Sequence, residues 1–89
     1  MKPVLTSKSF DKAFKKRVAA NKKLRASYVN RVSQFRLGIR GYPLNDHSLT
    51  GKLAGKRSFS INSDVRIVYV EADVEIIFVD IGTHNQVYK

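Results

Sequence analysis

Hydrophobic positions recur at helical spacing in the first forty residues and alternate after residue 56. Phe10, Ala13, Phe14 and Val18 fall on one face of a helix, with Lys12, Lys15, Lys16 and Arg17 mostly off it. Ser7 or Ser9 can cap its start. Ala19, Ala20 and Asn21 read as a break, with Asn21 capping a second helix whose face is Leu24, Tyr28, Val32 and Phe35. Gly38, Gly41 and Pro43 end that helix. The two form a hairpin with an apolar inner face. Ahead of them, Val4, Leu5 and Thr6 read as a short edge strand.

Residues 41–56 read as loop, the longest irregular stretch and a natural place for function. The period then becomes two. Residues 57–61 place Phe59 and Ile61 inward, 65–70 form a second strand and 74–81 a third. Ile76, Ile77, Phe78 and Val79 are apolar on both alternations, so that strand is covered on both faces. Tyr69 and Phe78 are core. The coarse order is β-α-α-β-β-β, to which Gln86, Val87 and Tyr88 can add a short last strand. The expected fold is α+β, an antiparallel sheet with the N-terminal helical hairpin on one face, as a single domain over 1–89.

Charge changes this picture. The net charge is +10. Residues 1–40 carry twelve Lys and Arg against Asp11 alone, net +11, while the rest carries five against six acids, net −1. A cationic half this dense attracts polyanions, nucleic acid or an acidic protein, and repels itself without them. There is no cysteine, which removes disulfides and thiolate ligands and is compatible with a reducing cytoplasm. No apolar run is long enough to span a membrane, and the start lacks the apolar stretch of a secretory signal. A cytoplasmic protein is expected.

The chain has no Walker loop, zinc spacing, nucleophile elbow or magnesium-type carboxylate cluster. No cofactor and no metal is therefore expected. RNA cleavage remains open to such a chain, because the RNA 2′-hydroxyl is itself the nucleophile. The protein must supply a base for that hydroxyl, an acid for the leaving 5′-oxygen and cations around the phosphate. His84, after Gly82 and Thr83 at the end of an apolar strand, is the leading acid or base; a surface histidine in a turn is the equal alternative. His47 is the second candidate, with Asp46 beside it to orient it, against a plain loop histidine. Asp64 is ordinarily a turn former and matters only if its turn points at His84. Arg57 can clamp a phosphate bidentately or merely guard a sheet edge. Arg66 has the same ambiguity. Tyr88 can stack on a base or pack back on the sheet.

Taken in order, Asp46 to Gly51, Gly55 to Arg57, Asp64 to Tyr69, and Gly82, Thr83 and His84 with Tyr88 resemble the RelE superfamily of bacterial toxins. They look most like its YafQ branch of type II toxin–antitoxin mRNA interferases. The resemblance runs from about residue 44 to the end; the N-terminal half matches in its helical hairpin and basic charge. It implies a ribosome-dependent endoribonuclease that enters the 30S A site and cleaves mRNA there. It also implies an acidic antitoxin encoded beside it, through which operator DNA is mainly bound. The implied catalytic set is His84, His47 and Asp64, with Arg57 against the phosphate and Tyr88 as terminal aromatic. Lys52, Lys56 and Arg66 are the RNA-binding candidates. Ser60 stands where this branch often has a further histidine, which keeps a non-catalytic RelE-fold binder as the alternative.

Overall fold

The computed structural model describes residues 2–88. The single domain expected over 1–89 thus has its two terminal residues outside the described stretch. In chain order the elements are β1 (Val4–Thr6), α1 (Lys8–Arg17), α2 (Lys22–Arg36), β2 (His47–Ser48), a 3-10 turn (Gly51–Leu53), β3 (Arg57–Ser60), β4 (Val65–Glu71), β5 (Ile76–Thr83) and α3 (His84–Val87). Both predicted caps form. The Ser7 hydroxyl accepts from the Phe10 amide at 3.0 Å, and the Asn21 side chain accepts from the Leu24 amide at 2.9 Å.

The sheet order is β1-β5-β4-β3-β2. β3 to β5 pair antiparallel as expected; His47–Ser48, read from the sequence as part of the 41–56 loop, adds antiparallel as edge strand β2, and β1 adds parallel to β5, so the sheet is mixed. Both helices and three strands lie between β1 and β5 in sequence, so no tight turn dictates their direction. The register of β4 on β5 steps from Val68↔Asp80 to Tyr69↔Phe78 and passes over Val79. This bulge at Val79 lets Phe78 face the core while Asp80 shares the opposite face with Val68.

One face of the sheet holds the core. Phe35 of α2 is fully buried and stacks on Phe59 at 4.5 Å, with Tyr69 and Phe78 edge-on to it at 5.1 and 5.9 Å. Such aromatic pairs each add about 1 kcal/mol beyond the area they bury. Phe10 of α1 joins through Phe78 at 5.5 Å, and Phe14 meets Tyr28 at 4.8 Å, which closes the helical hairpin.

Two boundaries differ from the sequence reading, and both matter. The third long strand runs to Thr83, so Gly82 lies within β5 and forms no turn. The expected last strand at 86–88 is instead α3 and its C-cap Tyr88. Thr83 and Gln86 form a reciprocal capping box, with the Thr83 amide donating to Gln86 Oε1 at 2.8 Å. A Cβ on Gly82 would stand 2.7 Å from that same Oε1 and 2.9 Å from Arg17 Nη1. Glycine there lets α3 fold back across the sheet.

Candidate active site

The face opposite the core carries the chemistry, and strand register selects its side chains. Paired residues share a face. His47 pairs with Ser58, which pairs with Val68, which pairs with Asp80. The next row on the same face is Ser60, Arg66 and Gly82. The 49–56 loop rises beside these rows, closed by the Leu49 amide donating to the Lys56 carbonyl at 2.9 Å. Its reversal needs positive φ at Gly51 (65°) and Gly55 (90°). α3 folds over from the other side. Between them lies an open cleft of about 580 Å³ lined by His47, His84, Arg66, Lys52 and Tyr88 together with loop residues 48–50 and Leu53.

The two histidines therefore meet in one cleft, although they are far apart in sequence. His47 is exposed, and its Nδ1 lies 2.9 Å from the Asn45 carbonyl oxygen. A carbonyl only accepts, so Nδ1 carries the proton and a neutral His47 offers its Nε2 lone pair outward. His84 is exposed in the first turn of α3 and lies edge-on to the Tyr88 ring at 4.6 Å. Tyr88 is fixed at its other end: its hydroxyl donates to the Ser58 hydroxyl oxygen at 2.9 Å, and Ser58 is 1% exposed. The Arg66 guanidinium sits 5.6 Å from the Tyr88 ring centre. Its Nε is buried with no hydrogen-bond partner among the described residues. Arg66 thus brings positive charge to the cleft.

Three candidates from the sequence lie elsewhere. Arg57 does not line the cleft. Its Nε and Nη2 bind Asp46 Oδ1 at 2.8 and 2.7 Å. Asp46, in turn, does not orient His47. Its fully buried carboxylate also takes Arg40 Nη1 at 3.3 Å and the Tyr69 hydroxyl. Burial, then the Asp46 hydrogen bond, pushes the Tyr69 phenol above its usual range; the same carboxylate raises Arg57. A buried carboxylate must be paired, and this pairing claims Arg57. Asp64 borders a separate cavity with Asn21, Lys23 and Leu24 on the α2 side. The Asn62 side chain accepts from the Asp64 and Val65 amides at 2.8 and 2.6 Å and fixes this turn. Asp64 still directly precedes Val65, the partner of Thr83, so its backbone borders the start of α3. Lys56 lines a neighbouring groove.

Ser58 escaped the sequence reading. Alternation places it outward, and only α3, which that reading took for a strand, explains why an outward serine is buried.

A family profile described as the bacterial toxin of type II toxin–antitoxin system, YafQ, matches residues 3–89. The chain belongs to that family. A copper-bound mutant toxin from Helicobacter pylori is similar in structure, with 30% identity, TM-score 0.81, and coverage of 98% of this chain and 99% of its own. YafQ from Escherichia coli shares the fold at TM-score 0.81 and 19% identity over all of both chains. The E. coli DinJ–YafQ complex aligns equally completely, at TM-score 0.76 and 20% identity. No curated protein sequence is significantly similar. As a YafQ-family toxin, the chain has an α+β fold with two helices on a mixed five-stranded sheet, and no described helix is long and apolar enough to cross a membrane.

Proposed function

We propose that this YafQ-family toxin is an endoribonuclease that cleaves mRNA at the ribosome, using the RNA 2′-hydroxyl as nucleophile. The observation that carries the reading is the convergence of His47 and His84 on one cleft with Arg66, Lys52 and Tyr88. His47, with its Nδ1 proton given to Asn45, takes the 2′-hydroxyl proton at Nε2. The oxygen attacks the adjacent phosphorus, and the bond to the 5′-oxygen breaks. His84 in its charged form gives that leaving oxygen a proton. Arg66 and Lys52 face the phosphate as its charge builds, where preorganised donors count most. Tyr88 stacks on a base beside the scissile bond, its ring already held by Ser58. Asp64 takes no part in these proton transfers, because its side chain borders the separate cavity on the α2 side. The products are a 2′,3′-cyclic phosphate and a 5′-hydroxyl.

The +11 half-chain suits ribosomal RNA at the 30S A site. The E. coli relative seen with DinJ in a toxin–antitoxin complex supports an antitoxin partner. In this reading the antitoxin is encoded beside the chain, and operator DNA is bound mainly through it. A toxin that acts on ribosomes in this way works in the cytoplasm. The test is primer extension on mRNA from cells briefly expressing the chain, beside His84→Ala. New 5′ ends within coding frames are expected, reduced about 10²–10⁴-fold in the variant. Equal cleavage by both would remove His84 from the chemistry.

A second reading, a non-catalytic RelE-fold binder of ribosome or RNA, is favoured by the position of the Asp64 side chain outside the cleft and by Ser60. It predicts growth arrest with intact mRNA.

A further inference from the structure

Arg17 is one of twelve Lys and Arg in the first forty residues, yet its side chain is turned onto the sheet and is only 20% exposed. Its Nη1 donates to the Ile81 carbonyl at 3.0 Å and to Asp80 Oδ1 at 3.3 Å. The same Asp80 oxygen takes the Ile81 amide at 2.9 Å, so guanidinium, carboxylate and main chain form one closed unit. The strand pairing explains why that carbonyl needs a donor. β1 covers β5 only from Ile76 to Phe78. Further along β5, α1 and its cap supply the donors. The Ser7 amide takes the Phe78 carbonyl at 3.0 Å, the Ser9 hydroxyl that of Val79 at 2.9 Å, and Arg17 that of Ile81.

Arg17 also reaches the point where α3 begins. A Cβ on Gly82 would stand 2.9 Å from Arg17 Nη1, as well as 2.7 Å from Gln86 Oε1. The space over Gly82 is therefore filled jointly by Arg17 and by the side chain that completes the capping box of α3. Val87 of α3 and Arg17 border the same groove.

We infer that Arg17 is a positioning residue for the proposed reaction: by holding the last residues of β5 and packing over Gly82, it fixes where α3 starts, and so where His84 and Tyr88 stand in the cleft. The inference rests on His84 as the proton donor and adds how α1, which does not line the cleft, holds that donor in place. A charge-assisted hydrogen bond largely withdrawn from solvent constrains its partners more than an exposed ion pair does. A shift of about 1 Å in a reacting group can cost about 10²-fold in rate. The competing role for Arg17 is that of one more cation drawing RNA to the basic half of the chain.

The test compares Arg17→Met with Lys16→Met in the full chain. Each removes one positive charge from the end of α1, but only Arg17 bonds to β5. Cleavage of mRNA on programmed ribosomes gives kcat and KM, and proton NMR of the free protein reads the contact between the His84 and Tyr88 rings. Lys16→Met is expected to raise KM alone. Arg17→Met is expected to lower kcat at least tenfold and to weaken the ring contact. In the wild type, the Arg17 guanidinium protons should show a nuclear Overhauser contact to the Gly82 α-protons. That contact needs no variant, so its absence overturns the inference even if Arg17→Met fails to fold. A folded Arg17→Met that changes KM alone, or keeps the ring contact, makes Arg17 an ordinary cation and overturns it too. So does an equal fall in kcat for Lys16→Met, which would assign the effect to lost charge, or a lost ring contact with unchanged kcat. These outcomes remove Arg17 and leave cleavage by the wild type standing. If the wild type itself cleaves no mRNA, the proposed function fails and the inference falls with it.

Discussion

His47 and His84 reach the same cleft by different means, and the proposed mechanism gives them different roles to match. His47 is held through Nδ1 by a carbonyl, which suits a base at Nε2. His84 is exposed and lies edge-on to the Tyr88 ring, a position that suits a donor to the leaving group. Both were visible in the sequence as titratable groups in suspicious places, but their meeting was not, because it depends on β2 pairing with β3 and on α3 folding back. Ser58 shows the limit more sharply. Its hydroxyl fixes Tyr88, and removing it leaves the Tyr88 hydroxyl without its partner. Ser58→Ala is expected to cost about 1 kcal/mol in stability and to raise KM for ribosome-bound mRNA more than it lowers kcat. Equal effects on both would mean that Tyr88 acts in the chemical step. Arg57 was misjudged because its partner, Asp46, looked like a helper for the adjacent histidine. Burial of Asp46 decides the matter, and burial of one carboxylate is not written in the local sequence.

At the scale of elements, α3 is the decisive unit. It is four residues long, far too short to persist alone, and depends on its capping box and on Val87, which is 5% exposed. Gly82 makes room for that box. Gly82→Ala should displace Gln86, loosen α3 and reduce cleavage at least tenfold, with a much smaller loss in thermal stability than in activity. A variant with wild-type activity would show that α3 need not be held as it is here. The two long helices were legible because their apolar stripes and cap residues agree. α3 was not, since four residues carry no periodicity and valine and tyrosine favour strands. The parallel pairing of β1 was equally hidden, because a strand of three residues, Val4–Thr6, does not encode its partner.

Across the whole molecule, the core and the charge distribution act separately. The core side contains the network in which the buried Asp46 carboxylate joins Arg40, Arg57 and the buried Tyr69. Burial raises the Tyr69 pKa in the folded state, so above pH of about 10, where an unfolded tyrosine loses its proton, the unfolded chain binds fewer protons than the folded one. Stability should therefore be fully present below that pH and fall as pH rises beyond it. Tyr69→Phe should lose that alkaline component, which denaturant melts between pH 8 and 11 would reveal; an unchanged slope would mean another group carries it. The charged side predicts a steep salt dependence. Affinity for RNA should fall linearly with the logarithm of salt concentration, and the antitoxin complex should weaken as well. A salt-insensitive affinity in filter binding would leave the N-terminal cations without a role. Fold class was readable from the pattern of apolar positions, because that pattern sums over many residues. The active site was readable only in part, because it depends on a few exact contacts.

The central claim is that the RNA attacks itself between His47 and His84. It is tested most directly with purified toxin and ribosomes programmed with an mRNA carrying one 2′-O-methyl group at the cleaved nucleotide. Without that hydroxyl cleavage there should stop, while the unmodified message yields a 2′,3′-cyclic phosphate and a 5′-hydroxyl. Cleavage of the methylated message at the unmodified rate would contradict the account, because the nucleophile would then have to come from elsewhere.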